Sequence, residues 1–161
     1  MAGNVPVYLD QGGAKLTVGS GGQLDITGTG EFRCVGSPFN VTFSPAAGGS
    51  NVCEVTCTVV DAFGTAAPYV HHLDVYLSDD AQGEGLTATT ASGTVTAKTA
   101  GGTVLSTLVS KKALRVQTTS AGVFVLEITD SAKTGFYVCA NLGPMLGGSA
   151  VSSQLVTETY G

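Results

Sequence analysis

The stretch that most constrains the fold of this chain is residues 122–142, which read GVFVLEITDSAKTGFYVCANL. Residues 123–129 alternate along the chain with the period of two that is typical of a β-strand. Turn-forming residues interrupt this pattern at 130–135, and residues 136–140 then resume it. Because apolar side chains occur on both faces, the stretch predicts two central strands that are joined by a corner and covered on both sides.

Residues 13–36 contain an internal repeat whose units are GAKLTVGS, GGQLDITG and TGEFRCVG. Alignment of the units places apolar residues in two columns, Leu16, Leu24 and Phe32 in the first and Val18, Ile26 and Cys34 in the second. Each unit has the pattern of a short strand followed by a glycine-rich turn. The segment is therefore predicted to be a glycine-rich β-repeat.

Two structures fit this repeat. It can be an antiparallel meander with one face buried on the rest of the chain, or three chains can bring that face together around a common axis. So thin a sheet cannot bury its own apolar face, and glycine-rich strands pair readily between chains. We favour the homotrimer and predict that its interface contains Leu16, Val18, Leu24, Ile26 and Phe32.

The pattern changes at Gly36-Ser37-Pro38, which predicts a boundary between residues 1–37 and residues 38–161. From Phe39 onward, short alternating segments are separated by turns at intervals of roughly 8–12 residues, the signature of an antiparallel β-sandwich. The predicted strands before the central stretch are 39–43, 53–61, 70–78, 86–99, 104–109 and 114–118, and a last one follows at 150–157. The inward-facing side chains predicted on the second and third are Cys53, Val55, Cys57, Val59, Leu73, Val75 and Leu77.

Composition excludes several classes of protein. With 43% hydrophobic and 12% charged residues, the chain is too apolar to be disordered. A net charge of −5 and the lack of any basic cluster beyond Lys111-Lys112 argue against a nucleic-acid partner. No apolar run approaches the ~20 residues of a membrane helix. The first residues lack the features of a signal peptide, so we expect a soluble protein made in the cytoplasm.

The residues with reactive side chains do not form a recognisable catalytic motif. The segment Gly19-Ser20-Gly21 does not match a nucleophile elbow, and His71 and His72 point to opposite faces if they lie on a strand. The loop carboxylates Asp79, Asp80 and Glu84 lack the spacing of a calcium-binding loop, so we expect them to be solvated. The sequence predicts neither an enzyme nor a bound cofactor.

The four cysteines, Cys34, Cys53, Cys57 and Cys139, are expected to be buried thiols, since no secretory signal accompanies them. A zinc site built from Cys53, Cys57 and the two histidines is disfavoured. Residues i and i+4 of a strand lie ~13 Å apart, too far to share one metal ion. We therefore predict no metal site.

The pattern D-S-A-x-x-G-x-Y-x-C at residues 130–139 resembles the beginning of strand F in immunoglobulin-type sandwiches, where an Asp and a Tyr pin the preceding corner. Tyr137 and Cys139 stand in that relation. Cys57 and Cys139 also resemble the cysteine pair of those domains, but the chain contains no Trp to pack on such a pair. The resemblance implies an all-β, immunoglobulin-like antiparallel β-sandwich, and we predict that the two thiols remain reduced.

Residues 61–138 contain the segments DAFG, HHLDVYLSDDAQGEGLTATTASGTV, GGTVLSTLVSKKALRVQT and GVFVLEITDSAKTGFYV. They resemble the β-sandwich module of tailed-bacteriophage virion proteins, in particular capsid decoration (cement) proteins and head-fibre proteins. The N-terminal QGGAKLTVGSGGQLDI is similar to the glycine-rich start of such proteins, where three chains come together.

This resemblance implies a structural viral protein that binds the major capsid protein as a homotrimer on the outer capsid surface of the virion. By analogy, the capsid contact is expected on the arm Val5, Pro6, Val7, Tyr8 and Leu9, through strand addition. The alternative is a head-fibre or tail adhesin module that binds host glycans through the loops at 79–85 or 143–148. The small number of aromatic residues weighs against glycan binding.

Overall fold

The structure, a computed structural model, describes residues 38–142 and 150–161 together with the backbone of two short strands, Val7–Leu9 (β1) and Leu16–Val18 (β2). The chain divides into two compact units, Met1–Arg33 and Cys34–Gly161. In the first unit, β1 and β2 pair antiparallel, with Tyr8 opposite Thr17.

The second unit contains two antiparallel sheets. Its strands are β3 (Asn40–Ala47), β4 (Val52–Val60), β5 (His72–Ser78), β6 (Val95–Ala97), β7 (Thr103–Val109), β8 (Ala113–Gln117), β9 (Val123–Thr129), β10 (Tyr137–Asn141) and β11 (Ala150–Val151). One sheet has the order β3-β4-β9-β6 and the other the order β11-β10-β5-β8-β7. The only helical element in the described residues is a 3₁₀ turn at Thr157–Thr159. The predicted all-β class and sandwich-like architecture are confirmed.

The core lies between the two sheets and follows from the alternation of side chains along the strands. The predicted inward-facing side chains of β4 and β5 are all buried in it. The two largest fully buried side chains are Phe124, on the central strand β9, and Phe136, directly before the central strand β10. The strand–corner–strand prediction for residues 122–142 therefore locates the middle of the fold.

The predicted strand at 86–99 is wrong over most of its length, because only Val95–Ala97 forms a ladder. The preceding residues form a loop whose backbone groups bind side chains instead. The Asp79 carboxylate accepts hydrogen bonds from Thr87 Oγ1 at 2.6 Å and from the backbone N–H of Ala88 at 2.7 Å. Lys112 Nζ donates to the carbonyl oxygens of the same two residues at 2.7 and 2.9 Å.

The last predicted strand, 150–157, also proves shorter, since only Ala150–Val151 pairs with β10. The chain beyond it packs against the core without joining a ladder. Leu155 and Tyr160 are buried there, with exposed fractions of 1% and 3%. Burial of these side chains and single backbone hydrogen bonds, such as Ser152 N–H to the carbonyl oxygen of Val138 at 2.8 Å and Leu155 N–H to that of Phe136 at 2.9 Å, hold this segment in place.

The corner between β9 and β10 is organised by a buried carboxylate. Asp130 accepts hydrogen bonds from the backbone N–H groups of Thr134 at 2.8 Å, Ser92 at 3.0 Å and Ala132 at 3.3 Å. Burial raises the pKa of this carboxyl, but the hydrogen bonds from Thr134 and Ser92 outweigh that effect and lower the pKa to about 2. The ionised carboxylate thus joins the corner to the loop that precedes β6.

The tyrosine at this corner is not the one that the motif indicates. Tyr137 is half-buried on β10, opposite Ser78. The hydroxyl that reaches the corner belongs to Tyr160, which donates to the carbonyl oxygen of Thr134 at 2.8 Å. The motif position misleads because the residue before Tyr137 is Phe136, whose side chain occupies the core and turns that of Tyr137 to the opposite face.

Cys53, Cys57 and Cys139 are buried free thiols, as predicted, and Cys34 lies outside the described residues. Cys57 belongs to the core between the sheets, whereas Cys139 alternates with the core residues Val138 and Ala140 and therefore faces the other way. The two thiols therefore lie on opposite sides of the five-stranded sheet, so the resemblance to an intersheet cysteine pair does not extend to its geometry. Burial raises the pKa of Cys57 to about 12 and that of Cys139 to about 11.

Candidate functional site

A polar cleft of about 280 Å³ opens on the outer face of the five-stranded sheet. Its lining residues are His72, Leu73, Asp74, Arg115, Asn141 and Leu142. Three of them come from one cross-strand row, because Asp74 on β5 faces Arg115 on β8 and Asn141 on β10. The register of three neighbouring strands therefore assembles the cleft.

An ion pair forms part of the cleft wall. Arg115 Nε donates to Asp74 Oδ1 at 2.8 Å and Arg115 Nη2 donates to Asp74 Oδ2 at 2.9 Å. The hydrogen bonds to Asp74, together with its negative charge, raise the pKa of Arg115. Each charged group satisfies the other, so the cleft offers polar atoms suited to hydroxyl or amide groups rather than a net charge for an ionic ligand.

A second surface lies at the end of the double sheet where β4 ends and β5 begins. We call it the aromatic end and define it as residues 38–39, 61–71 and 118–122. Four large apolar side chains are exposed there: Tyr69 by 61%, Phe39 by 56%, Val70 by 50% and Phe63 by 38%. The only Asp, Glu, Lys or Arg in these ranges is Asp61, which is buried. The aromatic end is thus an apolar surface without an exposed formal charge.

Backbone hydrogen bonds tie the two connections of the aromatic end together. Thr118 N–H donates to the carbonyl oxygen of His71 at 2.9 Å, and His71 N–H donates to Thr118 Oγ1 at 2.9 Å. Gly122 has φ +74°, and a Cβ there would lie 2.2 Å from the carbonyl oxygen of Ala67. These contacts give the exposed rings a defined backbone support.

His71 contributes to the same support. Its Nε2 lies 3.1 Å from the carbonyl oxygen of Ala67, and since a carbonyl can only accept, this nitrogen carries the proton. The His71 ring also makes an edge-to-face contact with the ring of Tyr69, with 6.5 Å between the centroids. His72 is exposed and belongs to the cleft instead. The prediction of opposite faces required both histidines to lie on one strand, and the structure begins β5 only at His72.

In the acidic loop that follows β5, the carboxylate oxygens of Asp79 and Asp80 accept hydrogen bonds from neighbouring residues of the chain. Besides the contacts of Asp79 given above, Asp80 Oδ1 accepts the backbone N–H of Gln82 at 2.7 Å. The Thr87 hydroxyl, with the Ala88 N–H, lowers the pKa of Asp79. In residues 38–142 and 150–161, no three His, Cys, Asp or Glu side chains form a group suited to a metal ion.

The residues predicted for capsid binding and trimer formation lie in the first unit. The structure pairs Val7, Tyr8 and Leu9 of β1 with the strand that contains Leu16 and Val18, with Leu9 opposite Leu16 and Val7 opposite Val18. It therefore joins the expected capsid-contact strand and the first expected interface strand in one antiparallel pair. The remaining predicted residues, Val5, Pro6, Leu24, Ile26 and Phe32, lie outside the described residues.

The sequence argument missed both the cleft and the aromatic end. The cleft depends on cross-strand register, which no local pattern shows. The aromatic end did carry a signal, because residues 61–71 combine Phe63, Tyr69 and Val70 with a single charged residue, and turn residues separate them from the strands. Aromatic side chains in a connection with a single charged residue indicate a contact surface more directly than their total number in the chain.

None of the family models, curated proteins or solved structures compared with this chain matches it. In the part of the chain that the structure describes, no helix is long and apolar enough to cross a membrane.

Proposed function

We propose that this chain is a structural virion protein that binds the outer surface of a bacteriophage capsid as a homotrimer and stabilises the shell. The observation that carries the proposal is the aromatic end. Exposed apolar surface of this kind marks protein–protein contacts, and enrichment in aromatic side chains with few charges is typical of interface centres. A rigid double sheet that presents such a surface suits a protein whose role is to hold other subunits together.

The strand order supports an immunoglobulin-like fold, which the proposal includes. The sheet β3-β4-β9-β6 corresponds to strands A, B, E and D, and the sheet β11-β10-β5-β8-β7 corresponds to G, F, C, C′ and C″ of a variable-type domain. The chain order differs, since β6 precedes β7 and β8 here. The proposed fold is a rewired version of that arrangement, with β5 crossing to β6 in the other sheet before the C′ and C″ positions are filled.

The N-terminal unit supplies the second part of the proposal. The pair formed by β1 and β2 provides an extended segment of the kind that adds to a sheet edge of another protein. In a homotrimer three such segments act together, so a modest contact per chain gives strong overall binding through effective concentration. The glycine-rich repeat is the proposed trimer interface, and the major capsid protein is the proposed partner.

Binding to capsids of the phage that carries this gene, purified from virions that lack the protein, tests the proposal. We expect the full chain to sediment with the capsids. Removal of residues 1–11 should abolish binding, and the double substitution Phe39→Ser and Tyr69→Ser should weaken it at least tenfold because hot-spot aromatics would be lost. The matched control is Leu86→Ser, since Leu86 is 45% exposed but lies outside the aromatic end.

Circular dichroism should show an unchanged fold for each variant. Full binding by the chain that lacks residues 1–11 would remove the arm from the proposal. Full binding by the Phe39 and Tyr69 variant would remove the aromatic end. A full chain that does not sediment with capsids at all would overturn the assignment as a decoration protein.

The cleft favours a second candidate function, an adhesin module that binds host surface glycans. Asp74, Arg115 and Asn141 bring hydrogen-bonding groups together at one site, and such groups suit the hydroxyl groups of a sugar. A glycan array probed with the full chain separates the two functions. Glycan binding that Asn141→Ala removes, without any sedimentation with capsids, would favour the adhesin.

A further inference from the structure

The polar cleft on the outer face of the five-stranded sheet contains one positive and one negative side chain, and their charges cancel. Arg115 Nε and Nη2 donate to the two carboxylate oxygens of Asp74 at 2.8 and 2.9 Å, so the pair is bidentate. Both side chains are partly exposed, Arg115 by 54% and Asp74 by 40%. An ion pair this exposed adds little to stability. Its polar atoms are accessible to a ligand, while its net charge is zero.

The two paired side chains keep further hydrogen-bonding capacity. A carboxylate oxygen has two lone-pair sites, and a guanidinium group has five N–H donors. The pair uses one site on each oxygen of Asp74 and two donors of Arg115. Acceptor sites and N–H donors therefore remain side by side, and the bidentate contact holds them in a fixed arrangement. A hydroxyl group, which both donates and accepts, matches such a set.

The size and the walls of the cleft fit a single sugar ring. Its volume of about 280 Å³ lies at the lower end of the range for small-molecule sites. Leu142 is half-buried and lines the cleft together with the polar residues, so apolar and hydrogen-bonding surfaces occur next to each other. A pyranose ring presents the same combination, because its C–H groups are apolar and its hydroxyl groups are polar.

The acidic loop lies next to the cleft on the same face of the sheet. Tyr76 and Cys139 face each other two residues along β5 and β10 from the row that forms the cleft. The Tyr76 hydroxyl donates to the carbonyl oxygen of Gly83 at 2.7 Å, which holds the loop over this neighbouring row. Burial, together with the negative charge of Asp80, raises the pKa of Cys139, so Asp80 also lies close to this row. A ligand in the cleft therefore has an additional carboxylate on one side.

We propose that the cleft binds a neutral sugar unit and that the Asp74–Arg115 pair makes it discriminate against sugars that carry a carboxylate or a phosphate. Because Asp74 cancels the charge of Arg115, an anionic sugar gains no net attraction in the cleft, and the acidic loop repels it. Specificity of this kind is a difference between two affinities that a repulsive element increases. The inference rests on the second candidate function, glycan binding at the cleft, and names its ligand class. It does not depend on capsid binding.

Two pairs of methyl glycosides that differ only at C6 test the inference. Methyl glucoside and methyl galactoside are the neutral members, and methyl glucuronide and methyl galacturonide are the acidic members with a carboxylate at C6. In an NMR titration of the full-length wild-type chain, at least one neutral member should shift the backbone amides of Asp74, Arg115 and Asn141. The acidic member of the same pair should bind at least about fivefold more weakly.

Asp74→Asn is the variant that should reverse this preference. It leaves Arg115 without its counter-charge, so the acidic member should bind at least as tightly as the neutral one. Glu158→Gln is the matched control, because it also removes one negative charge but at an exposed residue that does not line the cleft. It should keep the wild-type preference. The amide spectra show whether each variant is folded, and the wild-type titration needs no variant.

Three results would overturn the inference. Equal binding of the neutral and acidic members by the wild type would retain glycan binding but remove the discrimination. A preference that Asp74→Asn leaves unchanged would assign the discrimination to another group. If none of the four glycosides shifts the amides of the cleft, the cleft does not bind a sugar, whereas the sedimentation of the chain with capsids would be unaffected.

Discussion

Replacing Asp130 by alanine is expected to lower the free energy of unfolding by about 3 kcal/mol. The substitution removes three hydrogen bonds that the buried carboxylate accepts from the part-buried N–H groups of Ser92, Ala132 and Thr134, and each contributes about 1 kcal/mol. It also releases the loop before β6 from the β9–β10 corner. Urea unfolding followed by circular dichroism measures the change.

The same carboxylate makes stability depend on pH in a definite direction. Its pKa is lowered to about 2, below the ordinary value near 3.9 in an unfolded chain. The unfolded state therefore binds a proton first as the pH falls. The contribution is complete above pH 4 and is lost as the pH drops through 2, with a magnitude of about 2 kcal/mol.

Asp79→Ala is the matched control for Asp130→Ala. The Asp79 carboxylate also accepts a backbone N–H, but the residue is exposed, so water replaces the lost partner. We expect less than half of the effect of Asp130→Ala. If the two substitutions cost the same, or if Asp130→Ala keeps the acid sensitivity of the wild type, the role assigned to Asp130 is wrong.

Replacing Tyr160 by alanine is expected to lower the free energy of unfolding by about 4 kcal/mol, in the range found for large buried aromatic side chains. Tyr160 is 3% exposed and belongs to the core, and its hydroxyl bonds the carbonyl oxygen of Thr134. The loss therefore combines a cavity with one lost hydrogen bond, while the Thr134 carbonyl oxygen still accepts the N–H of Phe136 at 2.9 Å. Thermal and urea unfolding both measure it.

Two variants separate these contributions. Tyr160→Phe retains the ring and should cost about 1 kcal/mol, the usual value of one hydrogen bond. Val156→Ala changes an exposed side chain of the same segment and should alter stability by less than about 0.5 kcal/mol. A Tyr160→Ala variant as stable as the wild type would show that this segment is an appendage rather than part of the core.

The alternation of side chains made the central strands predictable. Features that depend on partners distant in the sequence could not be predicted. The inward faces of β4, β5 and β9 follow from local pattern alone. Residues 86–94 read as a strand because they are rich in Thr and Ala, and the competing partner, Lys112, lies far along the sequence. Tyr160 was missed for the same reason, since it reaches the corner from outside any motif.

The candidate surfaces also divide into features that local sequence shows and features that depend on strand pairing. The cleft requires Asp74, Arg115 and Asn141 to share one row, which only the pairing of three strands decides. Two bulges in β7, at Leu105 and Leu108, depend on the register between β7 and β8, so an alternating sequence could not reveal them. By contrast, the sequence shows directly that Asp61 is the only Asp, Glu, Lys or Arg in residues 61–71, whereas its burial is known only from the structure.

Because the aromatic end has no exposed formal charge, a contact made there should respond to salt differently from a contact between charged groups. Attraction between exposed charges is screened at physiological salt over about 8 Å, whereas apolar contact is strengthened by excluded salts such as sulfate. A contact made by Phe39, Tyr69 and Val70 should therefore persist in concentrated sodium chloride and tighten in ammonium sulfate. A shell stabilised by such a contact, as the proposed function requires, would tolerate large changes in external salinity.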